Sequence, residues 1–231
     1  MRALLFGALL AVSGPAFAQT WEPVTDEDGV KVWQRPVVNS SLVEFRGRGI
    51  VDASLRQVLA VLADAERKTE WMANCAENRV VRAKSVGDRV VYNRIGSSWP
   101  LVSDRDVVVQ TSFTAWPEKR QVVVEAWNTE DKLAPELDGV VRMPELQLRW
   151  TLVVVDEDRT DVTYQVRADP GGSLPHWAVN LISKHIPLNT IRNLRKQVTK
   201  DYSSALALID RAYDWSKVEG ILAAAPHALS P

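Results

Sequence analysis

The feature that most constrains this chain is Asp169-Pro170-Gly171-Gly172-Ser173-Leu174-Pro175, which separates a run of alternating strands from a long apolar-striped helix. Pro170 fixes φ, the glycine pair admits left-handed backbone, and Ser173 and Pro175 suit a helix start. Beyond the turn, Leu174, Trp177, Ala178, Leu181, Ile182 and His185 fall at three-and-four spacing. Leu188, Ile191, Leu194, Val198, Tyr202, Ala205 and Ile209 continue the stripe. At about 1.5 Å per residue the pattern would run ~52 Å, longer than the domain it packs on, so Pro187 is expected to kink or split it. A curved sheet closed by such a helix can enclose an apolar hollow. That arrangement favours binding over catalysis.

The strands before the turn are equally legible. Leu146, Leu148, Trp150, Leu152 and Val154 alternate with Gln147, Arg149 and Thr151, and Val162, Tyr164, Val166 and Ala168 repeat the pattern. One dry and one wet face is the mark of an antiparallel sheet with solvent behind it. Further strands are expected over 41–51, 78–83, 88–95, 105–114 and 121–127, with a hairpin at Asp28-Gly29. Residues 52–66 switch to helical spacing, with Ser54 as cap and Leu55, Val58, Leu59 and Leu62 as the buried stripe. Residues 128–144 read as a loop. No repeat or internal domain boundary is visible.

The first eighteen residues are expected to lie outside the fold. Met1-Arg2, the apolar run Ala3 to Val12 and Ala16-Phe17-Ala18 have the form of a secretory signal peptide cut near Ala18, which implies a periplasmic or secreted protein. One domain over 19–215 and a weakly patterned tail over 216–231 would remain. Without Arg2 the chain has 27 basic against 29 acidic residues, a net charge of −2. That balance gives no support to nucleic-acid binding, which would want a basic excess. A lone cysteine, Cys75, cannot form an internal disulfide.

Chemistry-bearing motifs are sparse. There is no G-x-S-x-G elbow, no Gly-rich phosphate loop and no H-E-x-x-H. The histidines are His176, His185 and His227, and the first two stand half a turn off a shared helix face. No catalytic residue, metal ligand or cofactor site is expected.

Two segments resemble a known family. Trp99-Pro100-Leu101-Val102-Ser103-Asp104-Arg105-Asp106-Val107-Val108-Val109 is similar to the aromatic-Pro-x-x-S-x-R-D-aliphatic segment of START domains, the steroidogenic-acute-regulatory-related lipid-transfer family. The turn from Asp169 to Pro175, with Trp177 and Asn180 behind it, resembles the D/N-P-x-G-x-x-P turn that opens the family's C-terminal helix. Asp28-Gly29-Val30 and Trp71 add weaker support. The resemblance runs from about Trp21 to Tyr213. It implies an α+β helix-grip fold, a curved antiparallel sheet wrapped around a long C-terminal helix, with one lipid or sterol-like ligand in an internal cavity. It also implies that the loop Gly96 to Asp104 forms part of a lid, placing Trp99, Pro100 and Leu101 at a transient membrane contact. Some members pair a cavity arginine with an acid on the strand before the lid. This chain has Tyr92, Asn93 and Arg94 there and no carboxylate.

Candidate ligand contacts follow from strand parity. Arg105 opens a strand whose residues Val107, Val109 and Phe113 form an apolar series, which puts it at the mouth of that face. Its planar fork suits a phosphate or hydroxyl head, or a structural ion pair. Tyr92 and Arg94 would be polar anchors if their face is inward. Trp150 and Tyr164 sit on dry faces, as core or as ligand contacts. Asn180 on the helix stripe needs a partner, either turn backbone or ligand oxygen. Arg192, Lys196 and Lys200 form an i, i+4 stripe beside Lys184 and Arg195, read either as a solvated face or as a dock for anionic headgroups. The expected function is binding of one hydrophobic ligand by a monomer, with transfer or presentation at membranes. The alternatives are a cyclase- or hydrolase-like enzyme on the same scaffold, or a sensing module without transfer.

Overall fold

The computed structural model describes residues 20–97, 102–129, 134–172, 174 and 184–212. Ten strands appear among them. In chain order they are β1 (Glu22–Glu27), β2 (Val30–Pro36), β3 (Val43–Val51), β4 (Cys75–Ala83), β5 (Arg89–Ile95), β6 (Arg105–Trp116), β7 (Gln121–Asn128), β8 (Val141–Arg142), β9 (Glu145–Val154) and β10 (Thr160–Asp169). The helices are α1 (Leu55–Ala63), α2 (Ile186–Gln197) and α3 (Ser203–Ala212), with a 3₁₀ turn at Glu66–Glu70.

Nine strands form one antiparallel sheet in the order β1-β2-β3-β10-β9-β7-β6-β5-β4, and β8 pairs with β6 in parallel. Strand β3 pairs with β10, which joins the N-terminal hairpin to the last strand. Asp28 (φ 52°) and Gly29 (φ 65°) are both left-handed, the backbone that a two-residue hairpin with matching strand twist demands. Gly171 and Gly172 also have positive φ, and Gly171 N–H donates to Asp169 Oδ1 at 2.9 Å, so the turn at the sheet's end has the expected chemistry. Its continuation, Ser173 and Pro175 to Ile182, lies outside the described residues apart from Leu174.

Helix α1 begins at a capping box. Ser54 Oγ accepts from Gln57 N–H at 3.3 Å, and Gln57 Oε1 accepts from Ser54 N–H at 3.0 Å. Leu55, Val58, Leu59 and Leu62 are buried, as their spacing requires. Helix α2 lies across β3, β2 and β10. Gly47 makes that approach possible: a Cβ there would stand 2.7 Å from Pro187 Cβ and 3.2 Å from Ile191 Cδ1.

The long C-terminal stripe is corrected in one respect. Pro187 does sit in the first turn of α2, but a second break at 198–202 separates α2 from α3. Asp201 Oδ1 accepts from Ser203 N–H at 2.8 Å and so starts a new helix. Tyr202 and Ile209 stay buried, so the apolar stripe survives the break, and α3 folds back against α1. The segment read as a loop also contains β8; the N–H groups of Val141 in it and of Met143 just after it donate to the carbonyls of Asp104 and Asp106 at 2.9 and 2.8 Å. Two residues are too few to show periodicity.

Candidate functional site: the inner face of the sheet

Helices cover one face of the sheet, the inner face, and its apolar residues form one continuous core. On β9 and β10, Trp150 and Tyr164 are directly opposite in register, with ring centroids 4.5 Å apart. Trp71, which follows the 3₁₀ turn, lies 6.0 Å from Trp150 and completes an aromatic row. All three are 2 % exposed. Burial pushes the Tyr164 hydroxyl well above its ordinary range.

Arg105 lies on this inner face, opposite Ile95 and in line with Val107 and Val109. Its Nη1 donates to the Ser103 carbonyl, and its Nη2 lies under Gly172 of the turn, 3.9 Å from where a Cβ would stand. Its Nε is buried without a partner among the described residues. Arg105 therefore stands where the Gly-Gly turn, the neck of the 96–104 loop and the inner face meet. That neck is tied by Asp104, whose carboxylate accepts from Ser97 N–H at 3.0 Å and from Arg94 Nη1 at 3.2 Å. Trp99, Pro100, Leu101 and Asn180 lie outside the described residues.

Tyr92 and Arg94 face the other way. Tyr92 packs with Val90, Val108 and Ala134 in a separate small cluster, with Arg79 4.6 Å above its ring. Burial and the nearby Asp106 carboxylate push its hydroxyl up to about 12. Arg94 is held by Asp104 and by Glu77, the latter at 3.5 Å. Neither residue reaches the inner face, so neither is a polar anchor there. The reason is parity: Val91, Asn93 and Ile95 point inward, opposite Val109, Val107 and Arg105. Asp106 is structural, 1 % exposed and gripped by Arg142 at 2.6 and 3.2 Å.

One inward polar group on β5 is Asn93, which donates to Cys75 Sγ and to the Glu77 carbonyl, both at 3.2 Å. Burial pushes the Cys75 thiol up. Farther along the same face, α1, β4 to β7 and α3 line an open-sided cavity of about 70 Å³. Leu59, Leu62, Phe113, Val124 and Ile209 line it, together with Lys68, Asn78 and Arg89. Arg89 Nη1 donates to the Ala63 carbonyl at 2.7 Å. Desolvation pushes the Lys68 amine down to about 8. Sequence reading missed Lys68, Asn78, Arg89 and Asn93. Only the inward parity of Asn93 and Arg89 beside Val91 offered a signal.

Three members of the basic stripe, Arg192, Arg195 and Lys200, form a clasp, while Lys196 stays exposed. Arg192 pairs with Glu27 and Asp28 at 3.1 and 2.6 Å, and Arg195 donates to the carbonyls of Asp28, Gly29 and Ile50. Lys200 pairs with Glu70 at 3.1 Å. These contacts fasten α2 to the first hairpin and to the 3₁₀ turn. No cluster able to hold a metal occurs among the described residues, and no helix among them is long and apolar enough to cross a membrane.

A curved antiparallel sheet gripped by C-terminal helices, with an aromatic-floored inner face, defines the helix-grip class of ligand-binding domains. The START domain model matches residues 18–201, most of the chain, and the chain belongs to that family. An uncharacterized protein of Pseudomonas aeruginosa is 33% identical over 85% of this chain and 96% of its own length. The phosphatidylcholine transfer protein of Bos taurus is 25% identical over 82% of this chain and 85% of its own. Among solved structures, a StAR-related lipid transfer protein fragment from Xanthomonas axonopodis superposes with a TM-score of 0.71 at 34% identity, covering 78% of this chain and 99% of that one.

Proposed function

We propose that the protein binds one hydrophobic lipid or sterol-like molecule against the inner face and carries it between membranes as a monomer. Support comes chiefly from that face itself: a continuous apolar surface under α2, floored by Trp71, Trp150 and Tyr164, with Arg105 at its mouth. Burial of apolar ligand surface at about 25 cal/mol per Å² supplies affinity, and Arg105 supplies orientation through its planar donors. The loop Gly96 to Asp104 acts as part of the lid, with the Trp99 indole in the bilayer interface while the ligand crosses. The Asp104 ties to Ser97 and Arg94 give that loop a fixed neck from which to move. Residues 1–18 direct the chain to the periplasm and are removed there.

The test is transfer of fluorescent phospholipid from donor to acceptor vesicles by the chain from Gln19 onward. Transfer that falls several-fold in Trp99→Ala, with the melting temperature unchanged, supports the proposal. A Trp99→Ala variant with unchanged membrane association and transfer rate removes the lid from it. Absence of transfer by the unaltered chain removes the carrier function.

A further inference from the structure

The outer face of the sheet, away from the helices, carries arginines at positions that the register fixes. Trp33 stands opposite Arg46, Arg46 opposite Gln165, Gln165 opposite Arg149, and Arg149 opposite Glu125. Their neighbours Val32, Phe45, Tyr164 and Trp150 belong to the inner core, so parity sends this row outward. On this face the surrounding guanidiniums each have a carboxylate: Arg35 has Glu44, Arg48 has Asp161, Arg149 has Glu125 and Arg167 has Glu145. Arg46 has no hydrogen-bond or ion-pair partner among the described residues. Glu44, two residues away on β3, is taken at both oxygens, Oε2 by Arg35 and Oε1 by Gln165.

Aromatic rings hold Arg46 instead. Its guanidinium carbon lies 4.2 Å from the ring centroid of Trp21 and 4.9 Å from that of Trp33, and Arg35 stands 4.6 Å from Trp21. Contact with two indoles restrains the group and leaves its N–H donors unspent. Arg46 is half-buried, and burial, then the charges of Arg35 and Arg48, pull its pKa down while Glu44 acts the other way. A restrained cation that is already partly desolvated gives up little entropy and little hydration when an oxyanion arrives. Trp and Arg are also the side chains that dominate contact energies between proteins. Trp33 further walls an open groove of about 390 Å³ with Pro23, Thr25 and Lys31, beside β1 at the edge of the sheet. Asp26 and Lys31 in that wall are a balanced pair, 3.9 Å apart. A free carboxylate would leave this groove empty, whereas a chain segment fills it.

We propose that this face docks an acidic peptide segment of a partner protein, with an aspartate or glutamate carboxylate on the N–H donors of Arg46 and an adjacent side chain in the groove beside Trp33. The incoming acid completes the one-to-one pairing that the rest of the face already shows. The inference goes beyond the lipid-binding reading and is independent of it, since the lipid is placed on the opposite face of the sheet.

The test is selection of a displayed library of random linear peptides on the chain from Gln19 onward and, in parallel, on Arg46→Gln. Peptides enriched on the unaltered chain should carry Asp or Glu. Synthesised with capped ends, they should bind it at least tenfold more tightly than they bind Arg46→Gln, and Asn or Gln in place of their acids should cost as much. Arg46→Lys should also lose most of the affinity, because an ammonium keeps the charge without the planar fork. Arg149→Gln, in the same row but already paired, should keep it within about twofold. A measurement on the unaltered chain needs no variant to fold: bound peptide should move the indole N–H resonances of Trp21 and Trp33 and leave those of Trp71 and Trp150 in place. Enriched peptides without an acid, affinity that Arg46→Gln leaves intact, or shifts confined to other tryptophans overturn the proposal. Absence of any enriched peptide overturns it too, and phosphatidylglycerol vesicles that then bind the unaltered chain but not Arg46→Gln would give the patch to a membrane surface.

Discussion

The two faces of β5 and β6 use charge in opposite ways. On the outer face Asp106 is gripped by Arg142, and Arg94 is shared between Asp104 and Glu77. On the inner face Lys68 lines a cavity and feels the Asp64 carboxylate without forming an ion pair with it, and Arg105 keeps a buried Nε without a hydrogen-bond partner among the described residues. The difference separates structural charge from charge held in readiness. A buried ion pair that satisfies itself fixes one geometry, whereas a cation left against an apolar hollow carries a cost that a ligand can offset.

Removing one partner on the outer face should do the most damage. Asp106→Ala leaves Arg142 half-buried beside an apolar hole and should cost about 3–5 kcal/mol in urea unfolding. Gly47→Ala tests the seat of α2 on the inner face. Its Cβ would collide with Pro187, and overpacking of this kind should cost about 1–3 kcal/mol while weakening lipid uptake.

Lys68→Met should have the opposite sign to Asp106→Ala. The amine titrates near 8 in the folded chain against 10.5 when solvated, so between those values the unfolded chain holds more of the proton. Stability should therefore rise with pH across that window, and Lys68→Met should flatten the rise. Asp64, Cys75 and Arg89 are the titratable neighbours that modulate it, and they remain in the variant.

The smallest effect is expected at Glu70, which Arg67, Gln197 and Lys200 hold at about 2. Its contribution is complete above its ordinary value of 4.5 and is lost as pH falls from there toward 2. Glu70→Gln should flatten the acid limb of the melting curve slightly. An unchanged acid limb would mean that the clasp on α2 is electrostatically idle.

Most of the architecture was legible because alternation, turn glycines and the Ser54 cap each act locally. Strand β5 was not, and the reason is physical. Val90 and Tyr92 are buried on one side and Val91 on the other, so a run that is apolar on both faces offers no contrast from which to read parity. The inward residue Asn93 was therefore passed over in favour of Tyr92 and Arg94. The break before α3 depended on a single capping aspartate, Asp201, inside a continuous apolar stripe. The cavity was beyond reach for a different reason: Lys68, Asn78, Arg89 and Ile209 come from four elements, and only the pairing of β4 with β5 and of α1 with α3 brings them together.

The most direct measurement is native mass spectrometry of the chain from Gln19 onward after incubation with phospholipid vesicles and re-isolation. One bound lipid per chain, displaced when a bulky substitution such as Leu148→Trp fills the inner face, is the expected result. A chain that stays at its apo mass with every vesicle composition would contradict the claim that this face encloses a lipid.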